Sequence, residues 1–382
     1  MPSKKIRTLS ILLFIIVFLL TIKVADVLVG FYIDKGYSKN IINPSPRTID
    51  LREIGFNQKI FVTPTDEYIA EANGLIQKPY EVDIDLDGYL TSSIHKNYKT
   101  NQINILFLGG SSTECLFVDE DKRFPPLVGK MLSEKLSVEI KGINGGNSGN
   151  HSLHSLFSLI AKGIKQNPKI VVMMHNLNDW SLLSRTGSYW ISPESRSIVM
   201  NSGKDINETS KFYKALKFIK DFFIPNSWIL LKRFELGNVF NLLNTNEFEG
   251  FDLFKKDINN FSIEYKSSLK SFIDLSRSWN IEPVLMTQAH LLRLEKYAIK
   301  NNSNNVDNKK LLQLQNYFND IIRTVATEKS VHLIDLDKEL SGRDDLMYDY
   351  LHLNTKGSEK VAKIITKSLF INYEDLLVSE NN

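Results

Sequence analysis

Ile103-Asn-Ile-Leu-Phe-Leu108 is a short apolar run, and Gly109-Gly-Ser-Ser-Thr113 follows it directly. A run of this length closed by glycines reads as a buried strand, and the glycines let the chain turn sharply at its carboxyl end. Four more runs repeat the pattern: Val138 to Ile143, Ile170 to Met174, Pro283 to Thr287 and Val331 to Asp335. Between them lie helical spacings, Leu153, Leu156, Phe157, Ile160 and Ile164 in one and Leu311, Leu314, Phe318, Ile321 and Val325 in another. A last helix, about 356–370, turns Val361, Ile364, Ile365 and Leu369 inward. Strands alternating with helices predict a parallel central sheet covered on both faces, a three-layer α/β/α sandwich.

Outward from this block the chain divides. Lys4, Lys5 and Arg7 precede an unbroken apolar stretch from Ile11 to Leu20, and weaker apolar sequence, broken by Lys23 and Asp26, runs on to Tyr32. The pattern is that of a transmembrane signal-anchor with its basic flank in the cytoplasm. A cleaved signal peptide is the competing reading, and no small-x-small cleavage site follows the apolar run. Residues 1–35 are therefore expected to be flank and span, 36–102 an extracytoplasmic lead-in, 103–375 the main domain and 376–382 a tail. The domain would lie in the periplasm or on the outer face of the plasma membrane. No strand is evident from about 180 to 260, which marks an insertion. Inside it Lys211, Lys214, Lys217 and Lys220 oppose Phe212, Ala215, Leu216, Ile219, Phe222 and Phe223, a basic amphipathic helix suited to a lid, an interface or plain scaffold.

The 382 residues are 42% hydrophobic and 24% charged, an ordinary folded composition. Forty-seven basic against 44 acidic residues leave a net +3, too little to mark a nucleic-acid binder. Cys115, the sole cysteine, has no disulfide partner within the chain. His151 and His154 have helical spacing but no acidic or thiol companion at metal-ligand spacing, so neither a metal nor another cofactor is expected.

Chemistry gathers at the strand ends. The first strand delivers Ser111 in its Gly-Gly-Ser-Ser-Thr turn, and the second leads into Asn144-Gly-Gly-Asn-Ser-Gly-Asn150. The third ends in His175-Asn-Leu-Asn-Asp179, and Asp349-Tyr-Leu-His-Leu-Asn-Thr-Lys-Gly357 precedes the last helix. Ester cleavage needs a hydroxyl, a base, a group orienting the base and donors for an oxyanion, and these four motifs hold all of them. Gln288 and His290 follow the fourth strand at the same edge, where they can contact substrate or only bond within their loop.

Taken in order, the motifs resemble the SGNH/GDSL hydrolase superfamily, whose four blocks carry a Ser, a Gly, an Asn and an Asp-x-x-His. The resemblance spans about residues 104–367 and implies the same sandwich. It makes Ser111 the nucleophile, His352 the base and Asp349 its partner, with Ser111, Gly149 and Asn178 forming the oxyanion hole. Gly110 stands where the commoner pattern has Asp, and Asn176 where the third block begins with Gly. Glu114 and Lys122-Arg-Phe-Pro125 further resemble membrane-anchored members of bacterial envelopes. Three activities are open: an esterase acting on an acylated or acetylated envelope glycan or lipid, an acyltransferase to a polysaccharide hydroxyl, and a catalytically silent polysaccharide-binding module. Ser112 is the rival nucleophile.

Overall fold

The computed structural model describes residues 4–32, 48–49, 51–95, 102–191, 199–200, 258–294 and 308–378. The chain divides into two compact units, Met1–Ile49 with Val199–Glu247, and Asp50–Ile198 with Phe248–Asn382. In the first, helix α1 covers Lys4–Tyr32, and β1 (Thr48–Ile49) pairs with the late strand Val199–Met200 in antiparallel register. Leu13, Phe14, Val17, Phe18 and Leu20 of α1 are exposed. Among the described residues no helix is long and apolar enough to cross a membrane, so the expected span is not shown. The side chains of Ile11, Leu12, Ile15 and Ile16, within that span, lie outside the described residues. So does the amphipathic helix expected between 211 and 223.

The second unit holds the sandwich. It opens with a hairpin of β2 (Gln58–Val62) and β3 (Tyr80–Ile84), linked through the short helix α2 (Asp66–Glu71). Thr65 caps α2, accepting the Tyr68 N–H on its side chain at 3.2 Å. Leu90 bridges Ile84 on one side and Asn144 on the other, so the lead-in is joined to the main sheet. The boundary expected at residue 102 is thus absent: residues 51–95 pack within the same unit.

Every apolar run becomes a strand: β4 (Ile103–Gly109), β5 (Ile140–Gly146), β6 (Pro168–Met174), then β8 (Glu282–Met286) and β9 (His332–Ile334), counting Val199–Met200 as β7. They form one parallel sheet in the order β5-β4-β6-β8-β9. Alternation along β4 shows why both faces are covered. Leu106 and Leu108 join one core with Phe272 and Phe318, while Ile105 and Phe107 join the other with Phe124 and Val361. The first core lies under helices Ile258–Ser278 and Asn308–Glu328, the second under α4 (Phe124–Leu136) and the last helix, Thr355–Val378. Between β4 and α4 lies the one-turn helix α3 (Ser111–Glu114). Helices α5 (Ser152–Ser158) and α6 (Leu177–Thr186) follow β5 and β6. The last helix outruns its expected end and consumes part of the tail, because Leu377 is buried beyond a break at Tyr373.

The strand order sets the location of a site. β4 comes first in the sheet, β5 lies on one side of it and β6 on the other, so the chain reverses direction of winding there. In such sheets ligands bind beyond the carboxyl ends of the strands at this switch point. Ser111 follows β4 and Asn178 follows β6 at that place.

Candidate active site

Ser111 is the first residue of α3, directly after the Gly109–Gly110 turn, and remains partly exposed. Its Oγ lies 2.7 Å from Nε2 of His352. His352 Nδ1 lies 2.6 Å from Asp349 Oδ2, and Asp349 Oδ1 accepts the backbone N–H groups of Leu351 at 2.7 Å and His352 at 2.6 Å. The Asp-x-x-His loop thus folds back on its own carboxylate. It is held from behind by Asn354, whose Oδ1 accepts the Gly357 N–H at 2.9 Å in the first turn of the last helix. Tyr348 lays its ring nearly parallel to His352, 13° between planes and 5.6 Å between centroids.

Burial alone would raise the Asp349 carboxyl, but the His352 imidazole and the backbone donors outweigh it and hold it below the usual range. Burial would likewise lower His352. The Asp349 charge and hydrogen bond, with a smaller contribution from Glu114, raise it above 6.5 instead. The pair is arranged to keep an ionised carboxylate against an imidazole that readily becomes cationic.

Ser112 is placed differently. Its side chain is buried, and its Oγ accepts Gln288 Nε2 at 3.1 Å. Gln288 also accepts the Leu177 N–H at 3.0 Å, so it props the floor of the site rather than facing substrate. His290 is fully buried, with Nδ1 accepting Leu292 N–H at 3.2 Å and Nε2 3.5 Å from Asp337. Of the two readings open for Gln288 and His290, the structure shows bonding within the protein: both are buried, and each meets protein partners.

The expected oxyanion donors converge on the same edge. The backbone N–H groups of Ser111 and Gly149 meet no acceptor among the described residues. Gly149 has φ +77, a left-handed conformation that favours glycine, and a Cβ there would strike the Arg52 guanidinium at 2.4 Å. Arg52 itself donates to the Ser148 carbonyl, and its own carbonyl accepts the Asn147 and Asn150 side-chain amides. Asn178 Nδ2 donates to Asn150 O at 2.8 Å, which ties the third motif to the second. Gly110 explains itself here, since a Cβ at that position would lie 2.7 Å from Asn178 Nδ2. Asn176, the other departure, is buried and donates to Gln315 O at 2.9 Å and Asn319 Oδ1 at 2.7 Å, anchoring the end of β6 to the helix behind it.

A second Ser, His and Asp set occurs in the first core. Ser155 Oγ lies 2.7 Å from His175 Nε2, but His175 Nδ1 is 3.8 Å from Asp179, beyond hydrogen-bond reach. All three are at most 2% exposed, and burial pushes His175 down to about 3 and Asp179 up to about 6. Substrate cannot reach it, and its imidazole stays neutral. His151 and His154 are also buried, their rings 3.8 Å apart and tilted by 43°, with His151 stacked on Tyr189.

Sequence reasoning passed over Tyr68, Arg52 and the burial of Glu114. Tyr68 Oη donates to Asp349 Oδ2 at 2.9 Å. Glu114 is fully buried, accepts Ser148 Oγ, and is pushed up to about 7 by burial. Only Glu114 carried a signal, three residues after the serine.

No protein-family model matches this sequence, and no curated protein is similar to it. Solved structures are similar in part. A lipase/acylhydrolase from Enterococcus faecalis is 14% identical over 70% of this chain and 95% of its own, with a TM-score of 0.41. An acetyl xylan esterase is 19% identical over 70% and 100%, with a TM-score of 0.38. A variant of an acetyl xylan esterase from Geobacillus stearothermophilus is 15% identical over 70% and 94%, with a TM-score of 0.39. Likeness at this level carries no argument about activity, and the site must be read from its own chemistry.

Proposed function

We propose that this chain is a serine ester hydrolase of the SGNH/GDSL type that works through an acyl-Ser111 intermediate. The observation that carries the reading is the continuous relay from Ser111 Oγ through His352 to Asp349, at 2.7 and 2.6 Å, on a partly exposed serine. In this reading His352 Nε2 takes the Ser111 proton as Oγ attacks the ester carbonyl, and Asp349 stabilises the imidazolium. The Ser111 and Gly149 N–H groups and the Asn178 amide receive the oxyanion. His352 then gives the proton to the leaving alcohol; it next takes a proton from water as the water oxygen attacks the acyl carbon, and returns it to Ser111 Oγ as the Oγ–acyl bond breaks and the acid leaves. Because the imidazole must begin neutral and its pKa is raised, the rate rises with pH through a value above 6.5.

The substrate class in this proposal is an acyl or acetyl ester of an envelope glycan or lipid, met by an enzyme tethered through α1 with the larger unit outside the cytoplasm. Its support is the 29-residue α1, on which Leu13, Phe14, Val17, Phe18, Leu20, Val24, Val27 and Leu28 are exposed. At 1.5 Å per residue such a helix is about 43 Å long, against about 30 Å of bilayer hydrocarbon. The expected result is that Ser111→Ala and His352→Ala each lower kcat on p-nitrophenyl acetate by at least about 1,000-fold. Melting temperatures should stay near wild type. An active, folded Ser111→Ala protein would refute the reading, and acetate loss matched by a newly acetylated glycan would turn it towards transfer.

A further inference from the structure

Asp349 has a donor that comes from far outside its own loop. Tyr68 Oη reaches the same oxygen, Oδ2, that His352 Nδ1 meets. A carboxylate oxygen has lone pairs for both. The phenol is also held by its ring and its surroundings, and its hydroxyl lies against that of Tyr348 as well. Its ring packs against Phe117 at 5.5 Å and edge-on to Tyr348 at 5.9 Å. Just beyond α2, Asn73 donates its backbone N–H to Tyr348 O and its side-chain amide to Asp344 O. Residues 65–73 are therefore clamped along the loop that carries Asp349, with the phenol aimed at the carboxylate.

We infer that Tyr68 is a positioning residue of the relay, whose hydroxyl fixes Asp349 Oδ2 against His352 and takes up part of its negative charge. The bond strengthens the carboxylate most when His352 is neutral, because the imidazolium otherwise satisfies that oxygen itself. Tyr68 thereby lowers the basicity of His352 relative to what Asp349 alone would impose, and keeps more of the base neutral at a given pH. Burial, reinforced by the Asp349 charge, raises the phenol well above its usual range, so it remains a donor across the working pH. The other groups facing these residues are Glu114 and Tyr348 towards His352, Tyr348 towards Asp349, and the Tyr348 hydroxyl towards that of Tyr68. Glu114 alone among them titrates near neutrality.

The catalytic meaning of this role rests on the hydrolase reading, whereas its test does not. In full-length protein in detergent, with 15N-labelled histidine, the His352 imidazole is titrated by NMR in wild type and Tyr68→Phe, each repeated with Glu114→Gln. Tyr68→Phe keeps the ring and should raise the His352 titration by about 0.5 to 1 pH unit, the scale of one charge-assisted bond shared between two protonation states. The acid limb of kcat/KM should move up equally. Replacing Tyr68 with 3-fluorotyrosine, a stronger donor, should move the titration down. An unmoved His352 titration in both variants, or a Tyr68→Phe chain that does not fold while the fluorinated one matches wild type, overturns the assignment. A wild type that cleaves no ester while its His352 titration responds to Tyr68 would instead sink the hydrolase reading and leave this inference standing.

Discussion

Ser111 and Ser112 are the same chemical group one peptide apart, yet only Ser111 has its hydroxyl within hydrogen-bond reach of His352. The turn through Gly109 and Gly110 leaves the first hydroxyl beside His352 and drives the second under Gln288. Gly110 has extended backbone angles, so an alanine there carries no conformational strain. Its Cβ would nonetheless press on Asn178 Nδ2 and, at 3.2 Å, on the Asn150 carbonyl. Gly110→Ala is expected to push the Asn178 amide from its post and lower kcat by about 10- to 100-fold, somewhat less than deleting a donor outright. Melting temperature and KM should change little, and unchanged kcat would show that Asn178 makes no contribution. At this scale the meeting of Ser111, His352 and Asp349 was legible because each sits in a short motif with recognisable spacing. Tyr68 was not: its partner is 281 residues away, and a tyrosine in a short helix carries no mark of what it will meet.

Two elements meet through Glu114. It ends α3, and its carboxyl accepts the Ser148 hydroxyl from the loop that follows β5 and carries Gly149. Glu114 Oε1 is buried with no hydrogen-bond partner among the described residues. Its pKa is raised from 4.5 to about 7 by burial, so the folded protein binds this proton more tightly than the unfolded chain does. Stability from this group is therefore full at low pH and is lost as pH rises from about 4.5 to 7, a cost on the order of 3 kcal/mol once the group is ionised. Glu114→Gln keeps the acceptor for Ser148 and removes the titration. It should melt clearly above wild type at pH 8, with most of the gap closing at pH 5; an equal gap at both would show that Glu114 is not the titrating group. Among the elements, the interior strands β4, β6 and β8 could be read because they are buried on both faces and so run almost continuously apolar, whereas the edge strands β5 and β9, interrupted by Lys141, Asn144 and His332, were legible from their place in the alternation. The union of the lead-in with the sheet could not. It depends on Leu90 pairing with Asn144, a single bridge that neither segment's pattern announces.

On the scale of the molecule, strand order and anchorage do separate work. The order β5-β4-β6-β8-β9 gathers four loops at one sheet edge, and sequence alternation was enough to anticipate the sandwich though not that order. The N-terminal anchor rests on sequence and on the exposed apolar side chains of α1, with no span shown among the described residues. If α1 anchors the chain, a reporter fused after Asn382 should be active only outside the cytoplasm, and extraction should require detergent. Cytoplasmic reporter activity, or release by salt alone, would remove both the anchor and the envelope substrate drawn from it. The hydrolase itself would survive that result, since its central claim is a covalent bond to one atom. The measurement closest to that claim is mass spectrometry of the full-length protein quenched during turnover of an activated acetyl ester, with the modified peptide sequenced. One acetyl group on Ser111, absent from Ser111→Ala and strongly reduced in His352→Ala, is the expected result; acetylation of Ser112, or equal labelling of the Ser111→Ala protein, would contradict it.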